Sequence, residues 1–151
     1  MALITTDKVA EELFTVLETL ILANKPTYTF NGSTITYTLV ATYPNSNPSF
    51  PLVVLNQGSI NVIPVNLDGT GEDYEIEVKL DFYAKEAHGI RAIVVGKDSL
   101  RKTFIGNRSN FETNDGLVSQ ADFWEDSNIS AFEDRNQIVN TASVLVRFML
   151  K

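Results

Sequence analysis

Cysteine is absent from this chain of 151 residues, and histidine and tryptophan occur once each. The absence of cysteine excludes disulfides, thiolate metal sites and a cysteine nucleophile. The single histidine, His88, has no serine or aspartate at a spacing that suggests a catalytic triad, so we interpret it as a surface residue. No apolar run approaches the ~20 residues that a membrane-spanning helix needs.

Positive charge is also scarce, with 12 Lys and Arg against 19 Asp and Glu and a net charge of −7. Proteins that bind nucleic acid use a basic surface, so we do not expect specific DNA or RNA binding. An acidic wall past which DNA slides remains compatible with this charge. The first residues lack the basic start and apolar core of a signal peptide, which predicts synthesis in the cytosol.

The sequence contains no strong motif for catalysis, metal binding or phosphate binding. Residues 68–73 read Asp-Gly-Thr-Gly-Glu-Asp but lack the acidic spacing of an EF-hand, and Gly96-Lys97 lacks the phosphate-binding pattern. The carboxylates of residues 75–81 alternate along a strand, an arrangement that is common on the wet face of a sheet and does not indicate a catalytic pair. We therefore predict no catalytic residue, no metal and no cofactor, and a protein that is not an enzyme.

The clearest pattern in the chain is the alternation of residues 74–83. Apolar side chains point to one side and charged side chains to the other, since successive residues of a strand face opposite ways. The apolar set is Ile76, Val78, Leu80 and Phe82, and the charged set is Glu75, Glu77, Lys79 and Asp81. This pattern predicts a long strand with one buried face and one wet, acidic face.

Two helices are predicted from apolar residues at helical spacing. The first begins at Thr5 or Thr6, ends before Pro26, and has an apolar stripe at Val9, Leu13, Val16, Leu17, Leu20 and Ile21. The second runs from about Lys85 to Phe104, with Ile90, Ile93, Val94, Leu100 and Phe104 as its stripe. Gly96 lowers its helix propensity by about 1 kcal/mol relative to alanine.

The remaining apolar segments predict strands. Asn31-Gly32 indicates a hairpin between residues 27–30 and 33–43 with Tyr28, Phe30, Ile35, Tyr37 and Leu39 facing inward. Residues 50–55, 60–65, 117–124 and 138–150 are further strands, and 125–137 is a polar segment without a predicted element. Leu145 and Met149 make the last strand apolar on both sides, so it is either central in its sheet or a subunit interface.

The predicted fold is α+β, a single domain over residues 1–151 with a mostly antiparallel sheet and two main helices packed on one face. Three segments are the most useful for comparison with known families. They are residues 50–55, residues 75–86 leading directly into the second helix, and the terminal Val-Leu-Val-Arg-Phe of 144–148. This order of elements resembles the tail terminator, or tail completion, proteins of long-tailed bacteriophages.

The resemblance implies a structural virion protein, located in the tail or neck, that forms a hexameric ring on the end of the tail tube and joins it to the head connector. Its partners would be further copies of itself, the tail tube protein and the connector or stopper protein, with DNA passing through the channel. A head-side stopper or a tail-tube subunit is the alternative. An enzyme or ligand-binding module is a third possibility, and it requires a concave pocket that the sequence does not indicate.

Three surfaces are expected to carry this function. The wet face of the central strand, with Glu75, Glu77 and Asp81, is expected to face the channel. Leu145 and Met149 are expected at a subunit interface. The loops 44–49, 66–73 and 106–116 are expected to dock on the tube and connector through Asn45, Asn47, Asp68, Glu72, Asp73, Arg108 and Asn110.

Overall fold

The computed structural model describes residues 6–46, 48–64, 72–108, 111 and 118–150, with side chains for 11–46, 48–56, 75–108, 111 and 127–149. The α+β class is confirmed. The elements in chain order are α1 (Thr6–Ala23), β1 (Thr27–Phe30), β2 (Ser33–Thr36), β3 (Thr38–Val40), β4 (Leu52–Pro64), β5 (Glu72–Lys85), a 3₁₀ turn (Glu86–His88), α2 (Ile90–Gly106), β6 (Val118–Asp126), β7 (Ser130–Asp134) and β8 (Gln137–Leu150).

The main sheet has the strand order β3-β4-β5-β8-β6, and β7 pairs with β8 on the edge that β6 also uses. Every pairing in it is antiparallel except β3 with β4. The last predicted strand is therefore central, which accounts for aliphatic side chains on both of its faces. β1 and β2 form a separate hairpin, whose turn residues Asn31 and Gly32 have φ values of 50° and 79°, as the sequence predicts.

Several predicted boundaries are wrong, and one is the start of the second helix, since Lys85 ends β5 and α2 begins only at Ile90. Residues 52–55 and 60–64 belong to one strand, β4, because a register shift between Gln57 and Ile60 accommodates the polar residues without ending it. The second hairpin arm breaks at Tyr37, whose N–H donates to the Pro26 carbonyl 2.9 Å away, and β3 then joins the main sheet. Residues 125–137 contain β7, and Gly106 is the last residue of α2 rather than a loop residue.

Both helices pack on the same face of the sheet, as predicted. The even-numbered residues of β5 and β8 meet Leu13, Leu17 and Ile21 of α1 and Ile93, Leu100 and Phe104 of α2 in one continuous core. Tyr37 lies within this core at 1% exposure, and its hydroxyl donates to the Ala92 carbonyl 2.7 Å away. Removing this much apolar surface from water is the main stabilising contribution to the fold.

The opposite face carries a smaller aromatic cluster at one end. The segment between β3 and β4 brings Tyr43 against Tyr83, with ring centroids 4.9 Å apart, and against Phe50 and Phe132. The Tyr43 hydroxyl donates to Asp134 Oδ2 at 2.6 Å, and burial together with this bond raises the Tyr43 pKa. Phe132 thus anchors β7 by packing against residues far away in sequence.

Candidate assembly surface

The odd-numbered residues of β5 and β8 form the face opposite the helices, here called the distal face. Glu77 and Arg147 are directly opposite each other across the two strands. The Nε atom of Arg147 lies 3.2 Å from Glu75 Oε1 and 3.4 Å from Glu77 Oε1. Two of the three carboxylates predicted to face a channel therefore converge on one guanidinium, which offsets part of their negative charge.

Asp81, the third predicted channel residue, is buried at 7% exposure, so the prediction of a wet position is wrong for it. Its Oδ1 accepts a hydrogen bond of 2.5 Å from the Ser143 hydroxyl, and its Oδ2 accepts one from the Asn56 amide. These partners come from β8 and β4 on either side. Asp81 therefore links three strands, because a buried carboxylate needs hydrogen-bond donors.

Leu145 and Met149 also lie on the distal face, where Leu145 pairs with Lys79 and Met149 with Glu75. Both are half-buried within the single subunit. The predicted interface residues and the predicted channel residues therefore share one surface. A subunit contact through Leu145 and Met149 remains a prediction.

The predicted docking loops are only partly described. Asn45 is exposed, and its carbonyl accepts a hydrogen bond from the Arg135 guanidinium; Arg108 is exposed just beyond α2. Glu72 and Asp73 are not loop residues, because they pair with Pro64 and Ile63 and extend β5. Asn47, Asp68 and Asn110 lie outside the described residues.

The outer faces of the helices expose large aliphatic side chains. Ile90 and Val94, expected to point into the core, are 58% and 49% exposed, and Ala92 and Gly96 are buried in their place. Leu22 of α1 and Ile105 of α2 are about half exposed as well. The sequence prediction failed because Ile90 and Val94 are four residues apart, a spacing that fits either face of a helix.

His88 is half-buried and packed, rather than a simple surface residue. A hydrogen bond joins the Tyr28 hydroxyl and His88 Nδ1, and the Phe30 ring stacks on the imidazole with centroids 4.1 Å apart. Burial, and to a lesser extent the nearby Lys85 ammonium, lower the pKa of His88. The neutral ring therefore connects the β1–β2 hairpin to the start of α2, a link with no local sequence signal.

No family model matches this chain, and a search of curated proteins finds no significant match.

Two further observations concern binding chemistry in the described part of the chain. An apolar groove of about 300 Å³ is lined by Thr15, Val16, Thr19, Leu20, Ala23, Asn107 and Phe111. It contains no titratable side chain. Among the residues searched, no group of three or more His, Asp or Glu side chains is arranged to hold a metal ion, and no helix is long and apolar enough to cross a membrane.

Proposed function

We propose that this protein is a tail terminator of a long-tailed bacteriophage, a non-enzymatic virion protein that forms a hexameric ring on the tail tube. The ring would stop tube growth and join the tube to the head connector. The observation that carries the proposal is the architecture: two helices side by side on one face of an antiparallel sheet, with a charged and aliphatic surface on the other. This arrangement agrees with the expectation from the order of elements.

A ring requires each subunit to use two different surfaces, because heterologous contacts close by rotation. The distal face and the outer helix faces differ in chemistry and lie on opposite sides of the sheet. The outer faces of α1 and α2 offer two different patches for neighbours on one side, which leaves the distal face for a channel. Glu75 and Glu77 are the residues that we assign to the channel, and Asp81 is excluded because it is buried.

Negative-stain microscopy of the purified protein, alone and with assembled phage tails, tests the proposal. We expect rings of uniform diameter with a central hole, bound at the head-proximal ends of tails that lack a head. Filaments would instead identify a tail-tube subunit, and rings that bind connectors but not tails would identify a head-side stopper. A protein that never forms rings and never binds tails would contradict all three assignments.

The channel assignment has its own test. The double substitution Glu75→Gln and Glu77→Gln leaves the Arg147 guanidinium without its carboxylates, so we expect rings of this variant to retain linear duplex DNA at low salt. The control is Glu86→Gln with Glu133→Gln, which removes the same charge from exposed positions outside the distal face. Filter binding measures retention. Equal retention by both variants would place the channel elsewhere.

A further inference from the structure

The two helices carry opposite net charges. α1 carries Asp7, Glu11, Glu12 and Glu18 against Lys8, a net charge of −3. α2 carries Arg91, Lys97, Arg101 and Lys102 against Asp98, a net charge of +3. Asp98 lies 3.3 Å from Arg101 and 3.0 Å from Lys102, so one carboxylate serves two cations and α2 keeps an excess of positive charge.

The outward residues of each helix form a regular stripe, and their chemical character changes along the helix. On α1 the outward residues Glu11, Thr15, Glu18 and Leu22 follow intervals of four, three and four residues, which place them on one side. The same intervals on α2 give Ile90, Val94, Lys97 and Arg101, followed by Ile105. The α1 stripe runs from acidic to aliphatic, whereas the α2 stripe runs from aliphatic at Ile90 and Val94 to basic at Lys97 and Arg101 and ends at Ile105.

Two depressions in the surface beside α1 differ in the number of carboxylates that line them. A depression of about 590 Å³ near its N-terminal half is lined by Glu11, Glu12, Phe14 and Thr15. A smaller one of about 90 Å³ near its C-terminal half is mainly apolar and is lined by Phe14, Glu18, Leu22, Leu39, Val40, Ala41 and Leu55. The first suits long basic side chains, and the second suits a branched aliphatic one.

We propose that α2 of one subunit packs antiparallel against α1 of the next copy. In this direction Ile90 lies near Leu22 and the apolar depression, while Arg101 lies near Glu11 and the acidic depression. A parallel arrangement would instead place Arg101 beside Leu22 and Ile90 beside Glu11. A second copy is the occupant that fits, because charge and aliphatic surface are complementary between two patches of the same chain. The contact joins two different patches, so repeating it from copy to copy gives the ring of the proposed function, on which this inference rests, its subunit interface.

Single cysteines test the contact directly, because the chain has none of its own. A variant with Leu22→Cys, carrying a mass tag, is mixed with a variant with Ile90→Cys and oxidised under mild conditions. We expect a disulfide-linked heterodimer on a non-reducing gel. The matched control mixes Leu22→Cys with Arg101→Cys, which lie near each other only in the parallel arrangement. Crosslinking in the control but not in the first mixture would overturn the antiparallel assignment.

Charge reversal gives a second, independent measurement. Sedimentation velocity should show self-association weakened by on the order of tenfold or more for Glu11→Lys with Glu18→Lys, and likewise for Lys97→Glu with Arg101→Glu. Each variant alone places like charges together, whereas an equimolar mixture of the two restores opposite charges at every contact. We therefore expect the mixture to associate as the wild type does, and more weakly as salt is raised.

The outcomes separate this inference from the proposed function. Rings that cap tails but tolerate both reversals and give no Leu22–Ile90 crosslink would retain the function and refute the interface. A wild type that stays monomeric at low salt up to its solubility limit, without crosslinks, also refutes the interface. Loss of duplex DNA binding in the α2 variant alone, with the α1 variant unaffected, would identify the basic stripe as a phosphate-binding surface instead.

Discussion

A β-carbon on Gly96 would lie 2.8 Å from Cζ and from the hydroxyl oxygen of Tyr37, and 2.9 Å from its Cε2. These distances are shorter than real β-carbons tolerate, so either the ring or α2 has to move. The ring has little freedom, because it is 1% exposed, donates a hydrogen bond to the Ala92 carbonyl and contacts Tyr28 and Phe82 edge to face. We predict that Gly96→Ala destabilises the protein.

Two opposing free energies decide the size of the effect. Alanine in a helix interior is favoured over glycine by about 1 kcal/mol. Overpacking a tight core costs about 1–3 kcal/mol, and loss of the Tyr37 hydrogen bond would add about 0.5–1.5 kcal/mol. The net expectation is a loss of about 1–3 kcal/mol in the free energy of unfolding, or roughly 2–4 °C in Tm for each kcal/mol in a chain of this size.

Urea unfolding followed by far-UV circular dichroism measures the effect. The matched control is Gly106→Ala in the same helix, where an added β-carbon meets no atom within 4 Å and no loss of stability is expected. In a Tyr37→Leu background the ring is gone, and Gly96→Ala should become neutral or stabilising. A Gly96→Ala protein at least as stable as the wild type would refute the packing argument.

Two further predictions concern polar groups of the fold. Folding lowers the pKa of His88 from its ordinary value of 6.5. Between these two pKa values the unfolded chain therefore binds more protons than the folded protein does. Stability should therefore fall as the pH drops below 6.5, and His88→Gln should remove that part of the dependence; a pH profile unchanged by the substitution would count against it. Asp81→Ala should cost about 1–3 kcal/mol in chemical unfolding, because it leaves half-buried donors on β4 and β8 without their acceptor. Asp98→Ala, on the exposed side of α2, should change stability little, and an equal loss in both variants would contradict the role of burial.

The strongest local patterns predicted the fold well. Alternation over residues 74–83 gave a strand whose apolar face is the centre of the core, and Asn31-Gly32 gave the hairpin turn. Both signals are local, because they depend on the pleat and on positive φ rather than on distant partners. The two helices were predictable for the same reason, since α1 buries Leu13, Leu17 and Ile21 as expected.

Structural features that depend on residues distant in sequence were harder to predict. The alternating pattern of residues 74–83 gives Asp81 and Glu77 equivalent positions. Strand order nevertheless places Asp81 between Asn56 and Ser143, and these partners bury it. Ile90 and Val94 were placed in the core because composition does not say which side of a helix the sheet covers. Tyr37 against Gly96 is a contact across nearly 60 residues that no local pattern encodes.

The position of β8 between β5 and β6 constrains how the protein is made. β5, β6 and β7 do not pair with one another, so the sheet stays in separate pieces until Gln137–Leu150 has left the ribosome and paired with all three. Pairings this distant in sequence form slowly, and the open strand edges are able to pair with other chains in the meantime. Nascent chains are thus exposed to wrong association until β8 is available, and chaperone binding during this interval should raise the yield of native protein.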